Sequence, residues 1–311
     1  MIQEKIVVGK GTKYPLDGIL TLPDNVDGAV PAVVLVHGSG SSNMDEKVGK
    51  VAPFRDIAEG LAKQGIATLR YNKRSFSYGF KMIMDKNLTI TVKEETIEDA
   101  VMASRLLKND SRIDSNNIFI AGHSMGGMLA PRIDAEGGDF KGLVIMAGSP
   151  RRLEDIMKDQ MQEMLGSMNS FVRKLSQKKI DKMLGDFEGL YSLTDEQAKR
   201  KKFGGGTTLY YFKEMGEHST ERYLESCTKP MLILQGEKDF QAKADADFEM
   251  YKSILKGRDN VTFRLYPNLN HVFADSVYGH ISKAKQEYNV AQKVNDGVIK
   301  DIAQWIMTNC D

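Results

Sequence analysis

The chain has 311 residues, 41% of them hydrophobic, with 43 Lys+Arg against 42 Asp+Glu for a net charge of +1. That balance excludes the basic footprint of a nucleic-acid or anionic-membrane binder, and no apolar run reaches bilayer-spanning length. Met1-Ile2-Gln3-Glu4-Lys5 lacks the apolar core of a signal peptide, and the two cysteines, Cys227 and Cys310, read as reduced thiols, so a cytoplasmic setting is expected.

The length suits one large α/β domain or a domain with a substantial insertion. Lys5–Val8 and Leu16–Leu22 read as strands of an edge hairpin, followed by turn chemistry over 23–28. Pro31–Val36 is a continuous apolar strand, as expected where helices cover both faces of a sheet. It runs into His37-Gly38-Ser39-Gly40-Ser41-Ser42, a loop whose glycines let backbone N–H groups approach a ligand. Pro53–Gly65 has helical apolar spacing, with proline suited to the first turn and glycine to the stop. Ile66–Tyr71 is the next strand, completing a parallel βαβ unit. A polar stretch then leads to about Thr91, and Glu94–Lys108 reads as a second helix.

Ile118–Ala121 is a short buried strand that enters Gly122-His123-Ser124-Met125-Gly126, a match to G-x-S-x-G. Met128-Leu129-Ala130 opens a helix after it, although Pro131 threatens to kink that helix. A strand feeding a helix through this pentapeptide is a nucleophile elbow, with Ser124 strained and exposed at the tip of the sheet.

Gly142–Gly148 is another strand. From about Pro150 to Lys229 the chain turns charged and methionine-rich, with no strand signal. Ile156, Met157, Met161, Met164, Leu165 and Met168 form one helical stripe, and Leu175, Ile180, Met183 and Leu184 suggest a second. Gly204-Gly205-Gly206 reads as a hinge before Leu209-Tyr210-Tyr211-Phe212. The segment is expected to be a helical insertion, 150–229, between core segments 1–149 and 230–311. Its methionines either pack on the core or, as adaptable gap-fillers, line a binding surface. The expected pocket residues are Met161, Met164, Tyr210 and Tyr211, under a lid above Ser124.

The core resumes with Pro230–Gln235 and Gly236-Glu237-Lys238-Asp239, then a helix from Ala244 to Leu255. Val261–Tyr266 is the last strand, followed by Pro267-Asn268-Leu269-Asn270-His271, and Ala291–Met307 closes the chain as an amphipathic helix.

A serine hydroxyl needs a base to become a nucleophile. Of five histidines, His271 follows the last strand by a short loop and so shares a sheet edge with Ser124. His37 and His123 are expected to point away from the serine or to pack, His218 lies in the insertion, and His280 is the weaker alternative. The base needs a carboxylate to hold its tautomer. No acid stands before Glu154 after the 142–148 strand, whereas Glu237 and Asp239 both follow the next one. Asp239 has the extra residues needed to curl back, which gives the order Ser124, Asp239, His271.

That order and these motifs resemble the α/β-hydrolase fold family over nearly the whole chain. His37-Gly38-Ser39-Gly40 is similar to the family's His-Gly-x-Gly oxyanion loop, and the likeness implies the N–H groups of Ser39 and Met125 as oxyanion donors. Asn72-Lys73-Arg74-Ser75 resembles its Asp-x-Arg-Gly loop but departs at Asn72 and Ser75. More narrowly the chain looks like the dienelactone-hydrolase-like and feruloyl-esterase-like branch, with an insertion after the sixth strand. The resemblance implies a serine carboxylesterase acting on small acyl or aryl esters without metal or organic cofactor. It leaves room for a homodimer. The alternatives are a prolyl-oligopeptidase-like peptidase or amidase with the same triad, and a non-catalytic binding protein on the same fold.

Overall fold

The computed structural model describes residues 1–24, 28–204 and 206–310. Asn25–Asp27 of the expected turn and Gly205 of the glycine triplet lie outside the described residues.

Eight strands form one sheet: β1 Ile2–Val8, β2 Leu16–Leu22, β3 Val30–Val36, β4 Ala67–Tyr71, β5 Ile113–His123, β6 Leu143–Met146, β7 Met231–Gly236 and β8 Val261–Tyr266. Their spatial order is β1-β2-β4-β3-β5-β6-β7-β8. β1 pairs antiparallel with β2, and β2 with β4; every pairing from β4 to β8 is parallel. The chain therefore winds outward from β3 in both directions, and its loops at the strands' C-terminal ends share one edge.

Alternation explains the apolar runs. Val34 and Val36 of β3, Ile118 and Ile120 of β5, Leu143 and Ile145 of β6, and Met231 and Ile233 of β7 enter one core layer. Val33, Leu35, Phe119, Ala121, Val144, Met146, Leu232 and Leu234 enter the other. Helices α1 (Pro53–Ala62) and, last in the chain, Asp296–Asn309 cover this second layer through Phe54, Ile57, Leu61, Val298 and Ile302. Each such side chain, fully buried, is worth ~1.5–3 kcal/mol.

Between β4 and β5 lie α2 (Arg74–Met84) and α3 (Glu98–Lys108), the latter opened by a wider turn over 93–97. α2 was not expected; the sequence there reads as a polar stretch. Its Phe76, Phe80, Ile83 and Met84 do recur at helical spacing, but they are exposed, Phe80 by 80%. The helix α4 (Met125–Ile133) follows the Ser124 turn directly and runs through Pro131 before loosening into a wider turn over 134–138.

The segment between β6 and β7 is helical throughout its main elements: α5 Leu153–Ser167, α6 Ser170–Gly185, α7 Asp195–Arg200, α8 Leu209–Glu217 and α9 Thr220–Ser226. Its two ends differ. Leu209, Phe212 and Met215 of α8 and Leu224 of α9 belong to the first core layer, whereas α6 buries no residue. After β7 come α10 (Glu249–Ile254), α11 (Ala284–Tyr288) and α12 (Asp296–Asn309); α12 starts five residues later than the sequence suggests.

Candidate active site

Ser124 stands between β5 and α4 at φ 53°, ψ −119°, a conformation that a side chain rarely adopts. Two close approaches hold it there. A Cβ on Gly122 would lie 2.2 Å from the Gly126 carbonyl oxygen, and one on Gly126 would lie 2.2 Å from that of Val36. Neither position admits a side chain, which is the physical content of the two glycines. The Ser124 N–H is bound to the Met146 carbonyl at 2.8 Å, so the turn is also pinned to β6.

His271 sits after β8 and Asp239 after β7. The His271 Nδ1 is 2.7 Å from Asp239 Oδ2, and both residues are buried. The same carboxylate accepts the Gln241 N–H at 2.7 Å, the Ala242 N–H at 3.0 Å and the Gln235 amide at 3.0 Å. With Nδ1–H committed to the carboxylate, Nε2 is left to accept a proton. Glu237 is at the end of β7 and exposed.

Ser124 and His271 line one cavity of about 740 Å³, together with Ser39, Met125 and Tyr211. This size falls within that of ordinary ligand pockets. Met161, Met164 and Tyr210, expected in its wall, are outside the lining; Met164 is 39% exposed. The first two turns of α5 supply Leu153, Ile156, Met157 and Gln160 to the lining instead, so that Met157 is the α5 methionine at the cavity. Another part of the wall comes from α2, through Phe80, Met82 and Ile83. Met125 is the first residue of α4, and its N–H is one of those a helix leaves without an internal acceptor.

Four further polar groups surround the Gly38 loop, and sequence reasoning missed their roles. The Gly38 N–H donates to Glu46 Oε1 at 2.7 Å, and Lys73 Nζ donates to the Gly38 carbonyl at 2.8 Å. Glu46 also faces His123, whose Nδ1 is 3.0 Å from Oε2 in an ion-pair contact. His123 Nε2 reaches the His271 carbonyl at 2.8 Å. His123 Nε2 thus has a carbonyl acceptor, and Nδ1 lies within ion-pair distance of a carboxylate. Burial works against a charge on His123, yet Glu46 outweighs it and the His123 pKa is raised; burial likewise opposes the Glu46 carboxylate, and His123 outweighs it, so its pKa is lowered. Glu95 accepts the Tyr211 hydroxyl at 2.9 Å and lies 3.5 Å from Lys73 Nζ. The position of Lys73 directly after an apolar strand was a usable signal; nothing in the sequence around Glu46 or Glu95 was.

Residues 29–274 match the model of the family described as serine aminopeptidase, S33. The chain belongs to this family. It is 34% identical over 296 residues to the esterase EstD of Thermotoga maritima, an alignment that takes in 94% of the chain. The chain spans 65% of that relative's length. Among solved structures, Est1E of Butyrivibrio proteoclasticus superposes with a TM-score of 0.58 at 16% identity, covering 98% of each chain. The Pyrococcus furiosus esterase Pf2001 gives 0.58 at 16% identity, covering 99% of this chain and 91% of its own. These superpositions and the strand order give the chain the α/β-hydrolase fold. Among the described residues no cluster of three His, Cys, Asp or Glu side chains could hold a metal ion, and no helix is long and apolar enough to cross a membrane.

Proposed function

We propose that the protein is a serine carboxylesterase acting on small acyl or aryl esters. The observation that carries this reading is the 2.7 Å contact of His271 with Asp239, with His271 and Ser124 on one cavity. Ser124 Oγ attacks the ester carbonyl while His271 Nε2 takes its proton, and Asp239 stabilises the imidazolium. The N–H groups of Ser39 and Met125 receive the oxyanion. Collapse breaks the ester C–O bond; the departing alkoxide takes the proton from His271, and the acyl group stays on Ser124. Water then attacks by the same route, giving the carboxylic acid and free Ser124. The wall from α2 and α5 surrounds the acyl or alcohol moiety, so that the inserted helices act as a lid with an apolar lining.

An aminopeptidase reading needs an unengaged carboxylate to bind a substrate ammonium group. Glu95 is the acidic side chain in the cavity wall, and it is already engaged by Lys73 and Tyr211. That favours esters over aminoacyl amides, as does the name of the EstD relative. The test is a panel of aryl and alkyl esters beside aminoacyl amides. Esters should exceed the matched amides in kcat/KM by ~10³-fold or more, a gap of about 4 kcal/mol in barrier. Higher kcat/KM for the amides would overturn the assignment.

A further inference from the structure

Lys73 lies between β4 and α2, directly before the helix, and is 2% exposed. Burying an ammonium group is costly, and desolvation draws the Lys73 pKa below its usual value. A methionine would fill the same space without that cost, so the ammonium matters for what it holds. It holds the Gly38 carbonyl at 2.8 Å, with the Glu95 carboxylate 3.5 Å away as its counter-charge.

The peptide joining Gly38 to Ser39 is trans, as all peptide bonds among the described residues are. In a trans peptide the carbonyl and the following N–H point in opposite directions. Fixing the Gly38 oxygen on Lys73 therefore fixes the Ser39 N–H to point away from Lys73. On the other side of the same glycine, Glu46 holds the Gly38 N–H at 2.7 Å, so neither flanking peptide can rotate freely. The loop passes close to the nucleophile, since a Cβ on Gly38 would lie 3.0 Å from the Ser124 Cβ. A cation on the carbonyl also polarises the amide and strengthens its N–H as a donor.

We infer that Lys73 is a positioning residue for the oxyanion site: it aims and polarises the Ser39 N–H through the Gly38 carbonyl. The inference rests on Ser124 being the nucleophile of an ester hydrolase. Its contribution arises in the transition state, where the oxyanion exists, and not in substrate binding.

The experiment compares wild type, Lys73→Met, Lys73→Arg and Ser124→Ala with a p-nitrophenyl ester and with an alkylboronic acid that forms a tetrahedral adduct on the serine. Lys73→Met should lower kcat at least ~10-fold, toward the ~10²–10³-fold that loss of one oxyanion donor costs. KM should change by less than about threefold, and boronic acid affinity should weaken by about the same factor as kcat. Lys73→Arg, which keeps a donor for the carbonyl, should recover most of the loss. Should Lys73→Met fail to fold, Lys73→Gln, too short to reach the carbonyl, carries the same expectation. Unchanged kcat and boronic acid affinity would overturn the inference, as would a parallel change of KM and thermal stability that accounts for the loss. If Ser124→Ala is inert while Lys73→Met is fully active, only the role of Lys73 falls. If Ser124→Ala retains turnover, the esterase reading itself falls.

Discussion

The strand tips around Ser124 and the segment between β6 and β7 are built on different terms. At the strand tips the polar groups that brace the site are held from several sides: Asp239 accepts four hydrogen bonds, and Gly38 is gripped at both its N–H and its carbonyl. In the segment between β6 and β7 the outer part is loosely packed. α6 buries nothing, and Phe171 and Leu175 are 73% and 67% exposed. The inner part is tied down by ion pairs and hydrogen bonds to the core, Arg132 to Glu214, Tyr211 to Glu95, and Thr220 to the Met128 carbonyl at 3.1 Å. On the proposed function, the contrast assigns the geometry of bond breaking to the sheet edge and much of the pocket's shape to helices that can vary without disturbing it.

The sharpest way to break this comparison is at the sheet edge. Ser124→Ala should keep the fold and lower kcat on the order of 10⁶-fold, as loss of the nucleophile does in a serine hydrolase. Asp239→Asn should cost up to ~10⁴-fold in kcat, because an amide favours the wrong tautomer of the base. Glu237→Gln should change kcat by less than about threefold, since surface substitutions away from special features cost little. Steady-state kinetics on one ester measure all three. A larger effect at Glu237 than at Asp239 would move the acid and leave the serine and histidine in place.

Most of the sheet edge was legible in the sequence because its constraints are local and strong. Gly122 and Gly126 are required by backbone approaches that no side chain survives, so the elbow carries a sequence signature. The apolar runs of β3, β5 and β7 announce a sheet covered on both faces, and chain order then places Asp239 and His271 on one edge. The cavity wall was less legible. A methionine stripe fixes that α5 is amphipathic, but which turns of that stripe overlie the cavity depends on packing partners distant in sequence; the first two turns do. Met157 faces the cavity where Met161 and Met164 were expected. α2 was missed although its apolar residues recur at helical spacing; Phe76, Phe80, Ile83 and Met84 stay exposed, and of the helix's apolar residues Met82 is the buried one. The bracing residues Glu46, Lys73 and His123 meet only through tertiary structure, from two loops and the end of β5.

A smaller effect is expected in the segment between β6 and β7. Met157→Ala should enlarge the cavity and shift the preferred acyl-chain length, with kcat/KM ratios between chain lengths changing ~10-fold, the scale of one or two methylenes in an apolar pocket. Met164→Ala should leave those ratios unchanged within about twofold, in keeping with an exposed side chain. A chain-length series of p-nitrophenyl esters reads both. A shift from Met164→Ala and none from Met157→Ala would contradict the placement of α5.

A separate effect, on stability and not on turnover, lies at the sheet edge. His37 is buried beside Phe54 and Tyr71, and desolvation lowers its pKa to about 4. Its unfolded value is near 6.5. Between those values the unfolded chain binds a proton that the folded chain does not, so this histidine makes stability fall as pH drops from about 6.5 to about 4. Denaturant titrations across that window should show wild type losing up to ~3 kcal/mol more than His37→Gln. Equal pH slopes for the two would mean that His37 is protonated while folded.

The central claim, that one nucleophile at the sheet edge is armed by His271 and Asp239, is tested most directly by covalent labelling. A fluorophosphonate probe, followed by peptide mapping, should add once per chain, on the peptide carrying Ser124. Labelling should vanish in Ser124→Ala and slow strongly in Asp239→Asn. Labelling on Ser39 or Ser41, or at an unchanged rate when Asp239 is replaced, would contradict it.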